Sequence, residues 1–230
     1  MTSNQRRQQL AQALWRLHAE LGDAGRAGPE RVGTVHLLLH SGDLELRECV
    51  VPQGAASHHT SPPHCNGARV CTPLNQGAAR GGEALVGEWH THPPGRRPGG
   101  FSPPSSDDMY QLLLACLVHR THNRSAVLAD EGTYVASVVH GAPFPAACLR
   151  ELRRFIGRTV PLRRAVLVAC RTPVVGRAEY PHLHRLLHGP KALWRRLVQK
   201  RTLPVAEKIR VFCAYALSSL GIRIDLIPPS

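Results

Sequence analysis

No window of this sequence approaches the roughly twenty consecutive apolar residues that a membrane-spanning helix needs. The first residues, MTSNQRRQQL, lack the apolar stretch of a secretory signal. A soluble intracellular protein with no membrane association is therefore expected. The seven cysteines are odd in number and form no Cys-x-x-Cys pair. That spacing argues against a disulfide framework and fits no standard zinc finger, so the thiols are expected to be reduced and mostly buried. Lysine is nearly missing, with three residues against 26 arginines and none before Lys191, a bias that points to genome composition rather than adaptation.

The charge that is present is uneven. Residues 1–146 hold 12 Lys+Arg and 12 Asp+Glu, whereas residues 147–230 hold 17 and 4, so the whole net charge of +13 lies in the last third. A chain of 230 residues can form one large domain or one domain with a substantial extension. The composition step places a boundary near Pro143-Phe144-Pro145, between a neutral module over 1–142 and a basic, mainly helical region over 143–230. The simplest reading of that region is a solvated basic surface. It could also contact nucleic acid or an acidic protein through residues 147–210.

What the chain does carry is concentrated in Val86 to Tyr110, VGEWHTHPPGRRPGGFSPPSSDDMY. Leu85, Val86, Gly87 and Trp89 read as the end of a buried strand. Side chains alternate along a strand, so His90 and His92 share a face while Thr91 and Trp89 point away, Trp89 into a core. Ser105 and Asp108 form Ser-x-x-Asp before the apolar run Gln111-Leu112-Leu113-Leu114, the signature of a capped helix start. If the Pro/Gly-rich spacer folds back, Asp108 joins the two imidazoles. Three protein ligands with one open position describe a catalytic rather than a structural zinc site, with one Zn2+ per chain. Taken singly, His-x-His is more often a pair of ordinary polar residues and Ser-x-x-Asp only a cap. The combination in this order is much rarer.

His90-Thr91-His92-Pro93 followed by Ser105-x-x-Asp108 resembles the JAMM motif of the MPN+ (JAB-type) zinc metalloprotease and isopeptidase family, over residues of about 5–140. The resemblance implies an α/β, MPN-like fold: a mixed, mostly antiparallel sheet flanked by helices, here with the basic C-terminal extension added. It implies hydrolysis of amide bonds at the C-terminus of ubiquitin or a ubiquitin-like protein, with conjugates of such proteins as partners. It also implies a motif Glu ahead of a Gly on an early strand, which Glu30 with Gly33 matches. Glu45 and Glu48 are rivals, and Glu88 is a sharper one because alternation places it on the face of His90 and His92. Glu30 or Glu88 would be the general base, and Ser105 would donate a hydrogen bond to the tetrahedral oxyanion. Some relatives have lost zinc and serve as scaffolds, so a non-catalytic MPN-type binding protein with a basic attachment region is the alternative.

Around this centre the periodicities predict an amphipathic helix over 4–21, strands over 30–39 and 44–51, and a helix from Ser105 to Arg120. Strands at 125–129 and 133–139 about the turn Asp130-Glu131-Gly132 come next. Helices are expected near 146–156, 183–200 and 205–220, with a short strand at 165–170. The turn-rich stretch 53–82, with His58, His59, His64, Cys65 and Cys71, reads as a surface loop or insertion, and the resemblance implies that a loop in this region can contact substrate. His184 and His188 stand four apart on a helix with no carboxylate to complete a metal site.

Overall fold

Six segments rich in β-branched or alternating side chains pair into one sheet: β1 (Val32–Leu38), β2 (Leu44–Glu48), β3 (Glu83–Thr91), β4 (Arg124–Ala129), β5 (Gly132–Val138) and β6 (Ile222–Ile227). The computed structural model describes residues 5, 8–9, 12–13, 32–48, 82–92, 101–118, 124–159 and 175–228. Among these the strand order is β2-β1-β3-β4-β5-β6. Every neighbouring pair is antiparallel except β3 and β4. Parallel neighbours cannot be joined by a tight turn, and the crossover is α1 (Ser106–Val118). Among the described residues three further helices, α2 (Pro143–Thr159), α3 (Pro181–Gln199) and α4 (Val205–Leu220), lie between β5 and β6. The expected mixed α/β architecture with a mostly antiparallel sheet is present.

The two faces of the sheet are unequal. One carries the main core, in which Met109, Leu112 and Leu113 of α1 meet Val127, Tyr134 and Ala136 of the sheet. Leu152, Leu183, Leu186, Phe212 and Ala216 of α2, α3 and α4 belong to the same cluster. The opposite face carries a smaller cluster of Val35, Trp89, Ala126, Leu128 and Val135. The basic region thus shares the core of the neutral one and adds β6 to its sheet. Ile222-Arg223-Ile224 alternates buried and exposed, a period-two signal missing from the expectations above. On α2, Leu152 and Phe155 face inward while Arg150, Arg153, Arg154 and Arg158 are exposed, as the helical spacing predicts. Of the 4–21 helix, the described residues Gln5, Gln8, Gln9, Gln12 and Ala13 are helical. The 53–81 stretch, the 93–100 spacer and the 165–170 strand lie outside the described residues.

Two local devices hold this arrangement. The start of α3 has no side-chain cap from its own flank. Glu151 of α2 supplies one, its Oε2 accepting the N–H groups of His182 and Leu183 at 2.9 and 2.8 Å and its Oε1 standing 2.7 Å from His182 Nδ1. A carboxylate at orphaned N–H groups is favoured by both hydrogen bonding and the helix dipole. On the other sheet face, Gly33 lies beneath the Trp89 indole. A Cβ there would stand 2.1 Å from the Arg47 carbonyl oxygen and 2.4 Å from Trp89 Nε1. Gly33→Ala is expected to cost about 1–3 kcal/mol through overpacking, seen as a lower urea midpoint at unchanged m-value; an unshifted midpoint would contradict this packing.

Candidate metal centre

The site forms where β3 ends and α1 begins. His90 is in register with Val127 on β4 and Val32 on β1, so its ring lies on the face that carries α1. His92 follows the last residue of the strand but is still pinned, its N–H donating to the Leu128 carbonyl at 2.7 Å. Asp108 reaches the pair through the helix cap. The Ser105 N–H donates to Asp108 Oδ2 at 2.7 Å, and the Asp108 N–H donates to Ser105 Oγ at 3.2 Å, a reciprocal capping box.

Three donor sets converge as a result. His90 Nε2 lies 3.1 Å from His92 Nε2 and 3.1 Å from Asp108 Oδ1, and His92 Nε2 lies 3.4 Å from Asp108 Oδ2. The two Asp108 edges run to different carboxylate oxygens, and one ligand atom from each residue lies within 4.8 Å of the other two, close enough for the three to share one metal ion. His90 and Asp108 are 1% and 4% exposed. His92 Nδ1 is 3.0 Å from the Ser102 carbonyl, an acceptor, so Nδ1–H donates and the neutral ring keeps a lone pair on Nε2. That is the tautomer a metal ligand needs. His90, His92 and Asp108 could therefore hold a metal ion, and among the described residues no other His, Cys, Asp and Glu group of three or more converges in this way.

A further layer positions this one. The Ser102 N–H donates to Glu131 Oε1 at 2.5 Å, and the Tyr134 hydroxyl donates to the same oxygen at 2.6 Å. Burial first, then the Glu131 carboxylate, pushes the Tyr134 phenol pKa up, so it stays protonated and keeps donating. From the other side, Trp194 Nε1–H of α3 donates to the Phe101 carbonyl at 3.0 Å. The segment that orients His92 is thus tied to the β4–β5 turn and to α3. Neither Glu131 nor Trp194 carried a sequence signal for this site, because Ser102 lies 29 residues from Glu131 and Phe101 lies 93 from Trp194.

The remaining expected residues are placed as follows. Ser105 is exposed at the head of α1, and its hydroxyl oxygen accepts in the cap, leaving its proton available to donate. Glu88 is buried on the ligand face, in register with Thr34 and Ser125. Burial and the Glu88 carboxylate push the Cys116 thiol up to about 12, which puts Glu88 near Cys116, two helical turns beyond Asp108. Glu45 is engaged by Arg47 at 2.7 Å, and the Glu48 side chain lies outside the described residues. So does Glu30, which stands two residues before Val32, the partner of His90. Trp89 lies in the opposite core, as alternation predicts, and the His184 and His188 rings approach to 4.3 Å.

Asp108 can be tested in its two capacities. Asp108→Asn keeps a cap acceptor, so its chelated form is expected to unfold within about 0.5 kcal/mol of the chelated wild type while bound metal is lost; Asp108→Ala loses the metal and about 1 kcal/mol besides. Thermal melts with and without chelator, beside metal analysis, check both. Glu131→Ala is expected to weaken metal binding on the order of tenfold, with Glu131→Gln restoring much of it because the amide oxygen still accepts. Equal affinities across the series would remove Glu131 from the site. Compared with known proteins, the chain matches no family model and no curated protein.

Proposed function

We propose that the protein is a JAMM-type zinc hydrolase that cleaves amide bonds at the C-terminus of ubiquitin or a ubiquitin-like protein. One observation carries the proposal: His90, His92 and Asp108 come close enough together to hold one metal ion, inside the sequence pattern His-Thr-His-Pro and Ser-x-x-Asp. A zinc ion held there supplies Lewis acidity, which makes a water proton removable near neutral pH and polarises a carbonyl.

The chain's own groups divide the rest of the work. Asp108 and the two imidazoles are fixed before substrate arrives, because the cap holds the carboxylate and Ser102 holds the His92 tautomer. The Ser105 hydroxyl donates a hydrogen bond to the oxygen on which negative charge develops. Glu30 accepts the proton of the attacking water and returns it to the leaving amine, with Glu88 as the alternative carboxylate. The exposed Arg150, Arg153, Arg154 and Arg158 on α2 favour a second, compatible role, contact with nucleic acid or an acidic protein.

Purified wild type is expected to hold one zinc per chain and to release the fluorophore from a ubiquitin C-terminal amide, or to cleave members of a di-ubiquitin panel, in a chelator-sensitive way. His90→Ala and His92→Ala should lose both properties, and Ser105→Ala should keep zinc while losing on the order of 10² to 10³ in kcat. Glu30→Gln should keep zinc and lose activity; if Glu88→Gln does so instead, the proton carrier is Glu88. Zinc without cleavage of any ubiquitin-like substrate would overturn the substrate assignment, and absence of zinc would overturn the hydrolase reading itself.

A further inference from the structure

A cleft of about 420 Å³ opens beside the candidate ligands, with His92 as part of its lining. One wall is the Ser102–Asp107 segment at the head of α1, and the other belongs to α3 and α4 of the basic region. Its surface is mostly apolar, built from Pro103 and Pro104 on one side and Leu187, Pro190, Trp194 and Phe212 on the other. Exposed Lys191 on α3 is set against exposed Asp107 on α1, so neither sign of charge dominates the lining. The volume lies in the range of small-ligand sites, which combine an apolar lining with a few placed polar groups.

Two observations identify the occupant. The first is continuity with the metal centre. His92 belongs to both sites, so a peptide whose carbonyl reaches an ion held by His90, His92 and Asp108 brings its neighbouring residues to this cleft. The second is Trp194. It is 38% exposed, one of three large apolar side chains in that state among the described residues. Its Nε1–H donates to the Phe101 carbonyl at 3.0 Å, which holds the indole on the cleft wall. An indole fixed in water beside buried Leu187, Pro190 and Phe212 is apolar surface preorganised for a partner. Flat rings dominate the lining: the indole, the Phe212 phenyl and the pyrrolidines of Pro103, Pro104 and Pro190. Aromatic pairs attract beyond the area they bury, so such a lining favours another aromatic ring over an aliphatic or polar side chain.

We propose that this cleft is a substrate subsite for an aromatic side chain, phenylalanine in kind, on the peptide segment next to the scissile amide, with Trp194 as the residue that selects it. α3 lies outside the stretch of sequence that carries the family resemblance, so the basic region adds a selectivity that the metal motif alone does not imply. The same indole ties that wall to Phe101, the neighbour of the Ser102 whose carbonyl orients His92. The position of the subsite along the substrate rests on the hydrolase reading; the aromatic preference of the cleft does not.

The test titrates unlabelled acetyl-Gly-Phe-Gly-amide and its Leu and Gln counterparts into the full-length protein by calorimetry, with and without chelator. Wild type should bind the Phe peptide on the order of tenfold more tightly than the Gln peptide, the scale of burying one apolar side chain, and more tightly than the Leu peptide. Trp194→Ala should abolish the Phe preference, whereas Trp194→Phe, which keeps a ring and loses the N–H, should retain most of it. Leu217→Ala, on α4 and not part of the cleft lining, should leave it intact. Trp194 and Leu217 are both exposed, so none of these exchanges threatens the fold. Equal binding of Phe and Gln peptides, or a Phe preference that survives Trp194→Ala, would overturn the subsite. Equal damage from Leu217→Ala would do the same by exposing general adhesion to apolar surface. A Leu peptide bound as tightly as the Phe peptide would overturn the aromatic assignment, and dimers that the Phe peptide fails to dissociate would replace the substrate with a second copy of the chain. A wild type without zinc or cleavage that still prefers the Phe peptide would sink the hydrolase reading and leave the aromatic site standing.

Discussion

The capping box at the head of α1 is the constraint on which the rest of the site depends. One carboxylate closes the helix and completes the donor set. Asp108 Oδ2 takes the Ser105 N–H while the same group stands 3.1 and 3.4 Å from the two imidazoles. Helix initiation and site assembly are therefore one event: α1 starts where it does because Ser105 and Asp108 satisfy its first N–H groups, and that register brings the carboxylate to the end of β3. The parallel pairing of β3 with β4 makes the juxtaposition possible. It requires a crossover helix, and the helix must begin at the carboxyl end of the strand that holds the histidines.

Much of this was legible because it is local. The same-face placement of His90 and His92 follows from the two-residue period of a strand, the placement of Trp89 on the opposite face from the same rule, and the start of α1 from a four-residue motif. Gly33 gains a physical reason, since the indole of Trp89 occupies the space a Cβ would need. What was not legible is what the chain brings together over long separations. Glu131, Tyr134 and Trp194 fix the backbone around Ser102 and Phe101, yet each looks in sequence like an ordinary turn, core or surface residue. β6 was missed for a different reason: its alternation spans six residues, directly after a long helix with a strong pattern of its own.

The basic region combines excess charge with close integration. Its few carboxylates are mostly committed: Glu151 caps α3, Glu179 meets Arg158, and Glu207 meets Arg210 at 2.5 Å. The described arginines of the region stay on the surface while Leu152, Leu183, Phe212 and Ala216 fill the shared core. A surface of one sign is tolerable here because the inward faces of the same helices bury enough apolar area to offset its self-repulsion.

β6 gives the sheet's boundary a particular meaning. It pairs with β5 from Thr133 to Val138, so the backbone groups along that side of β5 are spoken for by residues near the far end of the sequence. A chain shortened to the stretch that carries the zinc-type motif would leave β5 as a bare, apolar margin, the kind of template along which separate molecules add to one another. The last strand therefore acts as a selvedge: it covers the side of β5 that holds Val135 and Val138, and the margin it presents in turn carries the exposed Arg223.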